Sequence, residues 1–510
     1  RADGGDAGLH PSNVHDNAYA FGAIDFTGDM PIVLGPDGPS LGGFVCPAAI
    51  AAADRWKLGQ LRPGDAVHFE PVDLDTARAL AKPGAPEIAT ARKSWRASDG
   101  EVVLARDRER DVVLRAAGDS FLLLEFGPPV LELRARLRVE ALQRWLEQED
   151  DADVLELTPG VRSLQFRVPP DADRDRLLRR IQDGLDAIDD RSDLTLSGRV
   201  VHLPLAWDDP ATQEATERYM RSVRPDAPWC PRNLEFIRRA NGLADEAEVK
   251  RIVFEASYLV LGLGDVYLGA PVATPVDPRH RLVTTKYNPA RTWTPENAVG
   301  IGGAYLCIYG MEGPGGYQFV GRTVQVWNRW RSGGVWEKPW LLRGFDQLRF
   351  FEVSNEELME LRRDFPLGRV PLRIEETSFS LQEHEAFLER EADSIAAFRT
   401  RQQAAFAEER ARWDEADRSA SPRAPTAAAE TVAEDEPGVP AESPVAGSVW
   451  KVLAEPGTDV AAGDVVLVVE SMKTEIEVQA PVSGTVKRVL ASPGTPVEAG
   501  QAVALVEAAS

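Results

Sequence analysis

The chain has 510 residues, of which 43% are hydrophobic and 27% are charged, and its formal net charge is −23. This length predicts three or more domains. The negative charge argues against nucleic acid or an anionic membrane surface as a partner, because both select a basic face, and no apolar run approaches the roughly 18–20 residues of a membrane span. Its three scattered cysteines exclude a disulfide framework and a cysteine-based metal site, which favours a cytoplasmic location.

Residues 1–73 are dense in glycine and proline and carry short apolar runs. Such a pattern is typical of short strands separated by tight turns, so it predicts β structure. Seventy residues of this kind would make a poor core by themselves. Because the first residue is Arg1 and no signal-peptide pattern follows, we expect the chain to begin inside a domain.

A polar cluster lies near the start of this segment, where residues 10–17 include two histidines, two asparagines, a serine and an aspartate. We interpret His15 as a catalytic residue and Asn13 and Asn17 as groups that orient a small polar substrate. One alternative is a turn whose side chains stabilise only the turn itself. The other is a metal site at the two histidines, which we disfavour because no cysteine or further histidine is close.

The middle of the chain changes pattern twice. Residues 74–100 are a mixed connection, and residues 101–200 alternate strand-like and helix-like periods, which predicts a small α+β subdomain. Strands are predicted at 120–126, 161–168 and 199–204, and helices at 139–147 and 171–188. Residues 201–352 return to glycine-rich strand patterns, which predicts a second, β-barrel-like unit.

Two short segments of this second unit carry candidate site residues. Asp265 follows two glycines at a bend between apolar strands, where a carboxylate can accept hydrogen bonds from an amide-like substrate. No helix pattern follows it, so a phosphate-binding loop is excluded. Lys286, Asn288 and Arg291 lie within six residues around an Asn-Pro turn. We interpret Asp265 and the two cations as catalytic and Asn288 as substrate-binding, with structural turns or a surface ion pair as the alternatives.

Residues 353–416 are predicted to be a helical extension. Ser380 and Glu383 have the spacing of a capping box, which predicts the start of a long helix that runs to about residue 416. Residues 417–442 are acidic, rich in Pro, Ala and Ser, and without periodicity, so we expect a flexible linker. Its 26 residues would span roughly 28 Å, enough for the domain that follows to move between sites.

The C-terminal segment, residues 443–508, contains an internal duplication. Residues 444–470 recur as 481–507, with 16 of 27 positions identical. The β-branched runs and Pro-Gly turns of each copy predict paired small sheets of about four strands each. Lys473 lies between the two copies, where a β-turn would hold it in solvent. An ordinary exposed turn lysine is the simplest alternative.

The tripeptide Ser471-Met472-Lys473 resembles the (Ala/Ser)-Met-Lys turn of the biotinyl carrier domain of biotin-dependent carboxylases. The resemblance implies biotin attached covalently to Lys473 beside Met472, with biotin protein ligase as the enzyme that attaches it. Lipoyl domains share this two-half architecture, but their lysine usually follows Asp rather than Met.

Three longer runs resemble the carboxyltransferase region of urea carboxylase. They are HPSNVHDNAYAFGAIDFTGDMPIVLGPDGPSLGGFVCP near the start, FEASYLVLGLGDVYLGAP at 254–271, and the segment 284–323. The resemblance implies a mainly β protein with α+β parts: two β-barrel-like carboxyltransferase halves, a small α+β subdomain, a long helix and a C-terminal β-sandwich carrier domain. Residues 1–73 would then be the truncated end of the amidolyase-like first half, and residues 101–352 the second half.

The activity implied is biotin-dependent carboxyl transfer from carboxybiotin to a nitrogen of urea, which forms allophanate. ATP, Mg and bicarbonate would act only through a biotin carboxylase domain that this sequence lacks. That domain, urea or a related small nitrogen compound, and an allophanate hydrolase are the expected partners, and no resident metal is expected.

Three alternatives remain open. A guanidine carboxylase would share this architecture, but the guanidinium cation would require an added carboxylate, whereas neutral urea is satisfied by amides such as Asn13 or Asn17. A subunit related to 5-oxoprolinase or allophanate hydrolase would carry no biotin domain, which argues against it. A non-catalytic biotin carrier or scaffold subunit would bind biotin or a partner without turnover.

Overall fold

The computed structural model describes 13–27, 30–36, 38, 40–62, 65–81, 103–148, 151–189, 194–264, 269–287, 290–419, 438–445, 447–471, 474–493, 495–497 and 499–508. All structural statements below concern these residues. Within them the protein is mainly β, as the sequence predicts, and no helix is long and apolar enough to cross a membrane.

The N-terminal β unit consists of two small antiparallel sheets. One pairs β1 with β4, and the other has β2 between β3 and β5. The strands are β1 (Asn13–Ala18), β2 (Ala23–Thr27), β3 (Met30–Val33), β4 (Leu41–Phe44) and β5 (Ala48–Ala49). Two short helices follow, α1 (Arg55–Leu58) and α2 (Leu74–Leu80), and α2 lies within the segment predicted as a connection. This unit shares its core with the next one, because Ala18 and Leu41 pack into the core of the five-stranded sheet.

The second unit is the predicted α+β subdomain, a five-stranded antiparallel sheet covered by two helices. Its strand order is β6-β7-β8-β10-β9. The elements are β6 (Val103–Asp107), β7 (Val112–Ala116), β8 (Phe121–Phe126), α3 (Leu133–Leu146), β9 (Glu156–Pro159), β10 (Ser163–Arg167) and α4 (Arg174–Asp189). Helix α4 buries Leu177, Ile181 and Leu185 at helical spacing against this sheet.

The third unit is an eight-stranded sheet in which seven strands close into a barrel. The order is β18-β15-β16-β13-β12-β19-β11-β20, and β18 also pairs with β11. The strands are β11 (Thr195–Trp207), β12 (Tyr258–Leu263), β13 (Pro271–Pro275), β15 (Ala298–Gly302), β16 (Tyr305–Ile308), β18 (Gln318–Arg322), β19 (Gln347–Val353) and β20 (Ile374–Ser380). A separate pair, β14 (Arg291–Thr294) and β17 (Gly313–Gly315), lies beside it.

Two features of the barrel differ from the sequence prediction. The strand predicted at 199–204 for the α+β subdomain is the middle of the 13-residue β11, which pairs with β19 and β20 of the barrel. The interval predicted as glycine-rich strands also contains three helices, namely α5 (Pro210–Ser222), α6 (Asn233–Ala240) and α7 (Glu246–Glu255). The start signals of α5 and α7 are in the sequence, because Asp209 and Asp245 each accept an N-terminal backbone hydrogen bond as N-caps.

Helix α8 (Asn355–Asp364) lies between β19 and β20, and helices α9 (Leu381–Arg390) and α10 (Ala392–Ser419) follow β20. The Ser380 hydroxyl accepts a 3.1 Å hydrogen bond from the Glu383 backbone N–H, so the predicted start is correct. The predicted single helix is broken at Glu391, which separates α9 from α10. Phe406 and Trp413 of α10 pack against α6, close to the candidate site described below.

The C-terminal domain is a sandwich of two four-stranded sheets, β21-β28-β26-β23 and β25-β24-β22-β27. The strands are β21 (Val439–Glu442), β22 (Gly447–Val452), β23 (Asp459–Val460), β24 (Val465–Ser471), β25 (Thr474–Gln479), β26 (Gly484–Val489), β27 (Pro496–Val497) and β28 (Ala502–Ala508). The predicted pair of sheets of about four strands each is confirmed, but each sheet mixes strands of both sequence copies, because β22 pairs with β27 and β23 pairs with β26. Strand β21 falls within the predicted linker, residues 417–442. Since β21 pairs with β28, the carrier domain begins at Val439 and the linker is shorter than predicted.

Candidate functional site

Three of the contacts between the N-terminal β unit and the barrel involve candidate residues or their neighbours. The first is a bond between His15 and Tyr305, the second is a backbone contact at Gly264, and the third is the side chain of Lys286 against Phe44. We refer to the region bounded by these contacts as the junction site.

His15 lies on β1 with only 7% of its surface exposed, and its Nδ1 atom is hydrogen-bonded to the Tyr305 hydroxyl at the start of β16. The two rings are edge-to-face, with centroids 5.9 Å apart. A phenol bonded to an imidazole is a pair through which a proton can move. The sequence singled out His15 but not Tyr305, which is 290 residues away and lies in an apolar strand.

Backbone atoms of the two units approach closely at the end of β12. The Gly264 carbonyl accepts hydrogen bonds from the N–H groups of Ser40 at 3.1 Å and Leu41 at 3.3 Å. Gly264 has φ +96°, and a Cβ atom there would lie 2.2 Å from the Ser40 Oγ. Glycine is therefore required at this position by both conformation and space. Asp265, the next residue, lies outside the described residues, so its predicted role stays a prediction.

The ammonium group of Lys286 lies between two aromatic rings that come from the two different units. Its Nζ is 4.8 Å from the centroid of Phe44, on β4, and 5.3 Å from the centroid of Tyr317, beside β18. Such cation–π contacts stabilise an ammonium group that is partly withdrawn from water. Lys286 is half-buried and is thus placed as a positive charge at the junction of the two halves.

The carboxylate of Asp25, on β2, interacts electrostatically with the ammonium group of Lys286. It is 3% exposed, and its Oδ1 has no hydrogen-bond partner among the described residues. Burial raises the pKa of this carboxyl to about 6, and the positive charge of Lys286 opposes the rise. Burial, and to a smaller extent the negative charge of Asp25, raises the pKa values of the neighbouring Tyr19 and Cys46, that of Cys46 to about 12.

Sequence reasoning missed Asp25, although a signal was present. In the strand Ala23–Thr27, alternate residues point to opposite faces, and Asp25 shares the buried face with Ala23. Burying a carboxylate on the inward face of a strand costs folding free energy, so its presence there indicates a partner or a function.

The other candidate residues differ in how they are placed. Asn13 is buried and lies opposite Phe44 in the β1–β4 ladder, so it is beside the junction site. Asn17 lies opposite Gly42, and its side-chain N–H donates to the Gly42 carbonyl at 3.4 Å, which uses part of its amide for strand pairing. Asn288, Met472 and Lys473 lie outside the described residues.

Arg291 is close to the junction site but is deeply buried, with 1% of its surface exposed. Its Nη1 donates to the Tyr317 carbonyl at 2.8 Å, and its guanidinium lies 4.2 Å from the Tyr287 centroid and 3.8 Å from the Phe319 centroid. The surface ion pair considered as an alternative is not observed, since Arg291 is buried and its hydrogen bonds among the described residues go to the Tyr317 carbonyl and the Thr294 hydroxyl.

The C-terminal domain presents the strand ends expected of a carrier. β24 and β25 are paired up to Ser471 and Thr474, so the chain connects them through residues 472 and 473 alone. A two-residue hairpin connection at the end of a sandwich suits a lysine that must carry a group on its Nζ. Among the described residues, no group of three His, Cys, Asp or Glu side chains could hold a metal ion.

Three protein-family models match the chain along its length. Residues 1–71 match the carboxyltransferase domain, subdomain A and B, residues 112–336 match the carboxyltransferase domain, subdomain C and D, and residues 437–506 match a biotin-requiring enzyme domain. The chain is homologous to the carboxyltransferase and biotin carrier regions of urea carboxylase and urea amidolyase. The junction site therefore lies between subdomains A and B on one side and subdomains C and D on the other.

Relatives and a solved structure agree with this assignment. The chain is 37% identical over 501 residues to the urea amidolyase of Lachancea kluyveri, and the aligned region covers 94% of this chain and 27% of the relative. It is 32% identical over 531 residues to a putative urea carboxylase of Emericella nidulans, covering 94% of this chain and 42% of the relative. The crystal structure of the Kluyveromyces lactis urea carboxylase matches with a TM-score of 0.76 and 36% identity, over 99% of this chain and 46% of that one. The chain thus spans about a quarter to a half of these proteins.

The match to a biotin-requiring domain at residues 437–506 supports covalent biotin as the cofactor of this chain. ATP and Mg belong to the biotin carboxylase part of such enzymes, which has no counterpart among the matched domains.

Proposed function

We propose that this chain performs the carboxyl-transfer half-reaction of a urea carboxylase and forms allophanate from urea. The observation that carries the proposal is the position of Lys286, which is held by aromatic rings from both halves of the carboxyltransferase. When bound to Lys473, biotin supplies the activated carboxyl group. The chain's own residues then have to bind the acceptor, stabilise developing negative charge and remove a proton.

In this proposal Lys286 is the electrostatic group. A positive charge fixed near the transferring carboxylate or the ureido oxygen stabilises the transition state more than the ground state, because negative charge grows there during transfer. Its aromatic neighbours exclude water, which strengthens that interaction. Asp265 completes the set of catalytic residues that we propose.

The proton on the acceptor nitrogen is removed by a residue of the junction site. His15 is the proposed base, and its bond to the Tyr305 hydroxyl fixes the orientation of the imidazole ring. Asn13, beside Phe44, and Asn288 are proposed to orient the acceptor through their amides, with Asn17 in the same role.

The proposed partners follow from the half-reaction. A biotin carboxylase domain with ATP, Mg and bicarbonate would load the cofactor, biotin protein ligase would attach it, and an allophanate hydrolase would consume the product. We place this activity in the cytoplasm, where three scattered cysteines would remain reduced.

The test measures ATP turnover by the biotinylated full-length parent enzyme while urea and guanidine are each titrated as the acceptor. Stimulation by urea that is abolished in Lys473→Ala, but retained in Lys451→Ala, would support the proposal. Lys451 is the matched control because it is an exposed lysine on β22 of the same domain. No stimulation by either acceptor would refute carboxyl transfer and favour a non-catalytic carrier.

One observation favours guanidine as a second candidate acceptor. Asp25 places a buried carboxylate at the junction site, with Oδ1 unpartnered among the described residues. Guanidinium is a cation that presents paired N–H donors to a carboxylate, whereas neutral urea gains less from one.

Asp25→Asn separates the two acceptors. If guanidine is the substrate, the wild type responds to it at lower concentration than to urea, and Asp25→Asn lowers kcat/KM for guanidine about 100-fold or more. If urea is the substrate, the same change costs urea little. An unchanged guanidine response in Asp25→Asn would remove this residue from acceptor recognition.

A further inference from the structure

We infer that Arg291 is a positioning residue, which holds the ammonium of Lys286 in place through Tyr317 and does not itself touch the acceptor. The inference rests on the proposed function for its catalytic consequence, but its structural part can be tested without turnover. It replaces the direct catalytic role that the sequence predicted for Arg291.

The burial of Arg291 sets it apart from the other candidates. With 1% of its surface exposed, and with the ring centroids of Tyr287 and Phe319 at 4.2 Å and 3.8 Å from its guanidinium carbon, little of Arg291 is left for a substrate to reach. Its Nη2 has no hydrogen-bond partner among the described residues. A buried cation without a carboxylate partner is costly, so its retention calls for a specific task.

That task is visible in the bond from Arg291 Nη1 to the Tyr317 carbonyl, which is 2.8 Å long. The bond fixes the peptide plane after Tyr317, in the segment that leads into β18. The Tyr317 ring lies 5.3 Å from the ammonium of Lys286. Arg291 therefore sets the backbone from which one of the two rings around Lys286 projects.

The same segment also clamps the backbone of Lys286 on both sides. Tyr287 N–H donates to the Gly316 carbonyl at 2.7 Å, and the Gln318 side-chain N–H donates to the Thr285 carbonyl at 2.9 Å. The residues before and after Lys286 are thus tied to the residues before and after Tyr317. If the Tyr317 carbonyl turned away, both the ring and the clamp would change together.

Lysine cannot replace arginine in this arrangement. Its ammonium would keep the positive charge, but it lacks the planar guanidinium that stacks between two rings while it donates to a carbonyl. Arg291→Lys therefore separates the effect of position from the effect of charge.

The structural test is the rate at which Lys286 is acetylated by a small anhydride, followed by mass spectrometry on the full chain. We expect Arg291→Lys to raise that rate about 3–10-fold, because the ammonium leaves its two rings. The matched control is Arg218→Lys. The Arg218 guanidinium lies 4.3 Å from the ring centroid of Trp293, which is on the same strand as Arg291, but Arg218 is exposed and pairs with Glu214. An unchanged rate for Lys286 in Arg291→Lys, with the fold retained, would overturn the inference.

The kinetic test uses acceptor-dependent turnover by the full-length enzyme. If Arg291 acts through Lys286, Arg291→Lys lowers kcat at least 10-fold with little change in the KM of the acceptor, and the double variant with Lys286→Met is no slower than Lys286→Met alone. A raised KM with unchanged kcat, or additive losses, would show direct contact with the acceptor and overturn the inference. If the wild type has no turnover, the proposed function fails while the acetylation result still decides the role of Arg291.

Discussion

Replacing Asp25 with Asn is expected to stabilise the protein, and only at pH values where the native carboxyl is charged. Its folded pKa of about 6 lies above the usual value of 3.8, so the folded state holds the proton more tightly than the unfolded state. The stability that the protonated carboxyl contributes is fully present below pH 3.8 and is lost as the pH rises through 6. A shift of this size corresponds to about 3 kcal/mol, and we expect about 2 kcal/mol after screening by water.

The assay is thermal unfolding of wild type and Asp25→Asn from pH 4 to 8, in buffers free of urea and guanidinium, because either could bind at the junction site. At pH 8 the variant should melt about 5 °C higher. The difference should shrink toward zero as the pH falls below the folded pKa. A difference that does not depend on pH, or a variant that is less stable at pH 8, would refute the argument that Asp25 is a strained buried charge.

Three further substitutions have expected outcomes. Gly262→Ala should cost about 1–3 kcal/mol of unfolding free energy in denaturant titration, because the added Cβ would lie 2.4 Å from the Leu41 Cδ1; unchanged stability would contradict this clash. Burial lowers the pKa of His384 to about 4, so the stability that the neutral imidazole contributes is lost as the pH falls from 6.5 through 4. His384→Phe should therefore reduce the fall in melting temperature over that interval. An unchanged dependence of melting temperature on pH would contradict this role of His384. Lys473→Arg should abolish streptavidin binding by the full chain, whereas Lys451→Arg should retain it, and residual binding would place biotin elsewhere.

Local sequence patterns predicted the fold class and many elements, and the reasons are physical. Helix α4 and strand β8 bury continuous apolar faces, so their periodicity is strong. The helices α5, α6 and α7 were missed because they are inserted between barrel strands whose glycine-rich pattern dominated the interval. The interleaving of the two carrier copies could not be foreseen, since the alternation within each strand is the same whichever copy it pairs with.

The candidate site was predicted less completely than the fold. Polar clusters pointed to His15 and Lys286, but their partners Tyr305 and Phe44 lie in apolar strands where an aromatic residue looks like ordinary core. Which residues meet across two separately folded sheets is a matter of tertiary packing, and local pattern does not contain it. Arg291 shows the same limit, because charge suggested an exposed group and the structure buries it.

The shared core at Ala18 and Leu41 has a consequence for how this region can be encoded. The N-terminal β unit contributes to the same buried cluster as the five-stranded sheet, and its backbone is bonded to the end of β12. These non-covalent contacts join the N-terminal β unit to the rest of the protein independently of the covalent link between residues 81 and 103. A chain broken between residues 81 and 103 would retain every one of these contacts, so the two pieces could be separate gene products that assemble into one heterodimer.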